Sequence, residues 1–244
     1  MSKDTTPNAR ELLEVDIGPR KLLTWNLWII FILLLFHLVG RTIRFGFNHD
    51  YAWGVVPLSN LNDEHNFPSL YSAGLFFANA LLCGLLSIAE KKTGRASLVW
   101  FWRLAAAVAA FLGCDEILVL HERLDTPVRN LLAPSGYFHY GWILPYLVLF
   151  GFIGVVSLKS FLQLPMLTRR ELIKAGVVFL AGAVGCEILG GKIASQQGVL
   201  NLAYVVSATL EEILEMVGLS LALSALWAHL LREYRGLILT YNSA

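Results

Sequence analysis

The sequence predicts an all-α, polytopic integral membrane bundle of about six transmembrane helices, with the N- and C-termini cytoplasmic. Three observations predict it. Of 244 residues, 56% are hydrophobic and only 15% charged, where a soluble domain carries about 25% charged residues. Apolar stretches of about 20 residues recur, long enough to cross a bilayer core as helix. Lysine and arginine fall mostly on one side of those stretches, as the positive-inside tendency requires.

The expected spans are 22–43, 69–89, 98–122, 141–162, 172–191 and 203–231. Residues 1–21 read as a cytoplasmic segment, 22–232 as the membrane domain and 233–244 as a cytoplasmic tail. The first apolar run is long and lacks a small-x-small cleavage pattern, so it is expected to be a retained helix. Residues 8–16 carry a weak amphipathic signal for a surface helix. Asn48, His49, Asp50 and Pro68 bracket a long first loop, and Glu90 to Arg95 form a short second one. Pro127, Pro134 and Gly136 mark the third loop, Pro165 and Arg169 the fourth, and Gly190, Gly191 and Gly198 the fifth.

With the N-terminus inside, 14 of the 19 cations lie on the cytoplasmic side, and only Arg41, Arg44, Arg123, Arg129 and Lys192 lie outside. Trp25, Trp28, Trp100 and Trp102 then sit near inner ends, and Trp53 and Trp142 near outer ones. A net charge of +1 gives no basic surface for nucleic acid. Cys83, Cys114 and Cys186 lie in apolar stretches and read as small buried residues rather than a disulfide framework.

The sharpest functional signal is acidic. Asp115, Glu116 and Glu122 close the third stretch with His121 among them, Glu187 closes the fifth, and Glu211, Glu212 and Glu215 lie in the first half of the sixth. A charged side chain at the bilayer centre costs roughly 2.5 to 3.5 kcal/mol on insertion scales. Seven such acids must be paired, protonated or placed on a metal. The topology brings all seven toward the outer side, with Glu211 to Glu215 roughly 12 to 18 Å below the end of their helix. Asp115 and Glu122 are seven apart and are expected on one helical face. Glu64 and His65 precede the second helix at the same depth, in a loop that could cap the acids.

Carboxylate-rich ligation with one histidine favours iron, manganese, magnesium or calcium over structural zinc, and leaves catalytic zinc open. The soluble di-iron pattern needs Glu-x-x-His pairs, which the chain lacks. The bland reading is a salt-bridge and hydrogen-bond network, with some acids paired to Arg41, Arg44, Arg123 and Lys192 and others protonated. His37 is a weaker candidate ligand, and a membrane histidine is more often bonded to a neighbouring helix. His139, Tyr140 and His229 read as interfacial.

The Asp115-Glu116-x4-His121-Glu122 helix with the later Glu211-Glu212-x2-Glu215 helix resembles uncharacterised bacterial multi-pass membrane proteins that carry the same two patterns. The resemblance spans most of the chain, including Glu64-x3-Pro68, and implies a shared acidic site with no named activity. It also implies the bacterial inner membrane. The chain does not resemble the seven-helix hydrolases that include alkaline ceramidases, whose zinc site uses three histidines.

Together these features lead to a metal-dependent enzyme acting on a lipid or another membrane-dissolved substrate. Its metal, Fe, Mn or Zn, is expected on Asp115, Glu116, His121, Glu122, Glu187, Glu211, Glu212 and Glu215. Glu116 and Glu212 are the expected acid/base groups, and Arg41, Arg44 and Glu64 the expected substrate contacts. The inner halves of the helices look almost free of acids, which argues against a transport path. The alternatives are a divalent-cation or proton transporter, or a structural subunit held by ion pairs.

Overall fold

The computed structural model describes residues 17–132 and 136–234. Residues 1–16, Pro134 and the 235–244 tail lie outside the described residues, as does the expected surface helix over 8–16.

Among the described residues, six helical segments are long and apolar enough to span a membrane, and the protein is an integral, multi-pass helical bundle. α1 (Pro19–Gly46) opens on a proline, which suits a first turn where no N–H is needed. A short 3-10 turn leads into α2 (Val55–Ser59). α2 crosses α1 at Gly40, where any Cβ would collide with the Ser59 hydroxyl. α3 (Phe67–Thr93) begins with a reciprocal cap: the Ser69 N–H donates to Asn66 Oδ1 and the Asn66 N–H to Ser69 Oγ, each at 3.0 Å. That exchange satisfies two of the N–H groups a helix start leaves unpaired. α3 ends at Gly94, whose φ of +78° gives the left-handed C-terminal turn.

The third span is shorter than its apolar pattern. α4 (Ala96–Leu118) stops at Val119, which sits at φ 53°, and α5 (Leu120–Leu132) starts a new helix. The expected helix to 122 therefore breaks, and with it the single face shared by Asp115 and Glu122. Pro127 lies inside α5 rather than in a loop. α6 (Ile143–Phe161) follows. The fifth span (Met166–Gln197) consists of α7 (Met166–Leu180), a π-helical turn (Ala181–Cys186) and α8 (Glu187–Gln197). Gly190 and Gly191 are helical, not loop. α9 (Leu202–Tyr234) is the longest helix and has the largest buried share of any span.

α9 packs against α1, α3, α7 and α8. Two apolar cores stack along it. One holds Ile30, Leu75, Phe76, Met216 and Leu219, and the other Cys83, Leu86, Leu98, Trp102 and Leu226. α7 reaches α9 through glycines: a Cβ at Gly218 would meet the Phe179 backbone at 2.6 Å, and one at Gly182 would meet the Glu211 carbonyl at 2.7 Å. α6 leaves Val148, Phe152 and Val155 exposed, the surface a lipid-facing helix needs.

Six spans put both ends of the described chain on one side, the terminal side. The acids of α4, α8 and α9 lie toward the opposite, far side. One feature departs from the expectation of an acid-free terminal half. Glu90 belongs to α3, not to a loop, and it is fully buried. His229 is likewise buried, 1% exposed, rather than interfacial.

Candidate functional site: an acidic centre on the far side

Asp115 stands one turn before the end of α4 and works backward onto α5. Its Oδ1 accepts the His121 N–H at 2.8 Å, and its Oδ2 lies 3.2 Å from His121 Nδ1. The first contact caps the N-terminus of α5, whose early N–H groups have no helical partner. The second orients the imidazole and leaves Nε2 free of it. The sharp reversal at Val119 makes both possible, and the Val119 N–H itself closes on the Asp115 carbonyl at 2.7 Å.

Around this pair the acids lie close enough to act on one another's charge. Glu116 feels Glu215, Glu64 and Asp115. Glu212 feels Glu215, Glu116, Glu64 and Glu187, and Glu215 feels Glu187, His121, Glu64 and Asp115. Glu187 and Glu211 bring their carboxyls together. All five glutamates on α4, α8 and α9 are half-buried. The π-helical turn ends immediately before Glu187. Such turns re-aim the residues that follow them and recur at functional sites. Ser207 ties this one to α9 by donating to the Cys186 carbonyl at 3.1 Å.

Two groups outside the spans show the local field. Burial pushes the Glu64 carboxyl up, with His121 opposing and Glu122 reinforcing that shift. For His121, burial lowers the pKa, but the Asp115 hydrogen bond and charge, with Glu64 and Glu122, outweigh it and raise the net value.

Among the described residues, the hydrogen-bond part of the bland network is present in Asp115–His121, Trp142–Glu187 and Glu187–Glu211, but its lysine and arginine pairs do not reach the acids of α4, α8 and α9. No lysine or arginine pairs with Glu116, Glu187, Glu211, Glu212 or Glu215. Arg44 pairs with Asp50 at 3.4 Å, Arg129 with Asp125 at 3.6 Å, and Lys192 donates to the Tyr137 hydroxyl at 2.6 Å. Arg41 and Arg44 flank the Phe45 ring, and Arg41 faces Asp63. They stand beside the α1–α2 crossing, whereas Glu64, expected with them as a substrate contact, joins the acids. Glu122 is exposed. His37 does what membrane histidines usually do: it accepts the Leu61 N–H at 3.0 Å on Nδ1 and meets Thr209 Oγ1 at 3.3 Å on Nε2. Cys83 is buried, but Cys114 is exposed rather than packed inside.

Among the described residues, no group of three or more His, Cys, Asp or Glu side chains is placed to hold a metal ion. A Glu64 carboxylate oxygen is buried with no hydrogen-bond partner among the described residues.

Sequence reasoning missed an aromatic wall. Trp142 Nε1–H donates to Glu187 Oε1 at 3.1 Å, and its ring centroid lies 4.8 Å from that of His121. The Tyr140 and Tyr204 hydroxyls meet at 2.9 Å. Tyr146 faces Asp115 with its hydroxyl unpaired. Tyr140, Trp142 and Tyr146 open the fourth span and Tyr204 the sixth, positions that match an ordinary interfacial belt, so nothing in the sequence distinguished them.

The model of a family described as a domain of unknown function, DUF8692, matches residues 27–230. The chain belongs to this family. No curated protein and no solved structure matches it. The matched range takes in Glu64, the α4–α5 reversal, Glu187 and the acids of α9, so every part of the acidic centre lies within the DUF8692 domain.

Proposed function

We propose that this DUF8692 protein binds a divalent cation at its far-side acidic centre and works as a metal-dependent enzyme on a lipid or other membrane-dissolved substrate. One observation carries the reading: acids from α4, α8 and α9 face one another with no lysine or arginine among them in the described residues. Half-buried carboxylates at such spacing need protons or a cation to neutralise them. The Asp115–His121 pair supports the cation. A carboxylate on one imidazole nitrogen fixes the tautomer and readies the other nitrogen as a ligand.

In this reading Asp115 is the orienting group, not a ligand. His121 Nε2, Glu187, Glu211 and Glu215 hold Fe, Mn or Zn, with Glu64 completing the set. Glu116 and Glu212 are left to move protons, and Arg41 to hold an anionic headgroup. A bound metal of this kind supplies Lewis acidity toward water or a substrate oxygen. The centre faces outward, as the cation bias implies, and the resemblance to bacterial multi-pass proteins favours a bacterial plasma membrane.

Mass-spectrometric metal analysis of detergent-purified protein tests the proposal. One or two equivalents of a divalent transition metal are expected, reduced in Glu211→Ala. Metal-free protein after purification without chelator counts against it.

Transport of a cation or protons is the second reading. It is favoured by the buried polar groups that continue past the acids toward the terminal side, among them Asn79, Glu90 and His229.

A further inference from the structure

Three oxygens on α3 are buried with no hydrogen-bond partner among the described residues: Ser72 Oγ, Asn79 Oδ1 and Glu90 Oε1. Their residues are 1%, 5% and 0% exposed. Ser72, Asn79 and Glu90 span five full turns at 3.6 residues per turn, so they form one straight stripe along the helix. The stripe faces α9, because Asn79 Nδ2–H donates to the Leu219 carbonyl at 3.2 Å. α3 and α9 run in the same direction, and that bond sets their register. It places Ser72 level with Glu212 and Glu90 level with Leu230, beside His229.

The terminal end of the stripe is a built polar site. Glu90 Oε2 holds Arg95 Nε at 2.7 Å and the Thr93 hydroxyl at 3.1 Å, which leaves Oε1 unpaired. His229 Nδ1 meets Thr168 Oγ1 at 3.0 Å, while Nε2 is buried and unpaired. The indole N–H of Trp102 is unpaired as well, and its ring lies 5.5 Å from that of His229. The charges felt at His229 are Glu233, Arg232, Glu90 and Arg95, and the Tyr234 hydroxyl lies beside Glu90. Buried polar atoms are rarely left alone, and water is their usual partner where the lining is polar.

We propose that the α3–α9 seam is a proton path from the acidic centre through Ser72 and Asn79 to a second proton site at Glu90 and His229. The proposal rests on the transport reading and names its route and its terminal station. Each step moves a proton between oxygen or nitrogen atoms, with water bridging, and no heavy-atom bond changes. Ser72 to Asn79 is about 10 Å, and Asn79 to Glu90 about 16 Å, at 1.5 Å per residue. The longer gap is lined by Cys83, Leu86, Leu223 and Leu226, all buried. This dry layer must wet transiently for a proton to pass, so it is the gate.

The test is voltage-driven proton flux into vesicles holding the full-length protein, read with a trapped pH dye. Wild-type protein is expected to conduct above protein-free vesicles, Glu90→Gln to fall to their level, and Leu86→Asn to exceed wild type. Where Glu90→Gln fails to fold, Asn79→Leu removes the middle station and is expected to give the same loss. Flux that persists unchanged in a folded stripe variant overturns the route and leaves the transport reading standing. No flux from the wild type overturns both.

Discussion

Asp115 accepts two hydrogen bonds from one residue, and both depend on the break at Val119. Its loss removes the cap of α5 and the orientation of His121 together. Asp115→Ala is therefore expected to destabilise the protein by about 1 to 2 kcal/mol from the cap alone, read by thermal unfolding in detergent. The imidazole also carries a pH signature. Because its folded pKa is raised, protonated His121 stabilises the fold fully below its unfolded value of about 6.5. That contribution disappears as pH rises through the folded value. In chelated protein, the difference in melting temperature between wild type and His121→Gln should shrink as pH rises above about 6.5. A constant difference would remove the charge on His121 from the account of α5. Residue spacing hinted at none of this. Asp115 and Glu122 looked like neighbours on a helix face because the apolar pattern runs through Val119 without a glycine or proline to mark the turn.

At the scale of helices, two glycines set how closely α7 approaches α9. A methyl at Gly218 has no room against the Phe179 backbone, so Gly218→Ala should cost about 1 to 3 kcal/mol as overpacking. Gly176 sits on the same helix as Phe179 with nothing near its missing Cβ, and Gly176→Ala should leave the melting temperature unchanged or raised. Equal effects from the two would mean that α7 does not pack where described. Because Gly182 packs against Glu211 and opens the π-helical turn that delivers Glu187, the same close approach brings two acids together. The spans were legible from apolar length alone, and the glycines from the need for close helix packing. The π-helical turn was not, since its residues Ala181 to Cys186 are as apolar as those of a regular helix. Glu90 was misread for a related reason. It stands next to Lys91, Lys92 and Thr93, a run whose composition reads as loop, whereas α3 continues through it and buries the acid.

At the scale of the molecule, the even number of spans among the described residues puts residues 17 and 234 on one side, and the cation bias chooses the side. Reporter fusions after residues 95 and 170 should report cytoplasm, and a fusion near residue 55 should report the outside. A cytoplasmic signal at 55 would turn the acidic centre inward. The convergence of Glu64, Asp115, Glu116, Glu187 and the α9 acids followed from depth, because polar groups in lipid gain by meeting. How they are neutralised did not follow, since Arg41, Arg44 and Lys192 lie on the same side but turn to Asp63, Asp50 and Tyr137 instead. The claim that a cation takes their place is tested most directly by electron paramagnetic resonance of protein titrated with Mn2+. Stoichiometric uptake is expected, with a nitrogen coupling from His121 that disappears in His121→Gln while folded protein remains. Folded wild-type protein that binds no Mn2+ in stoichiometric amount would contradict it.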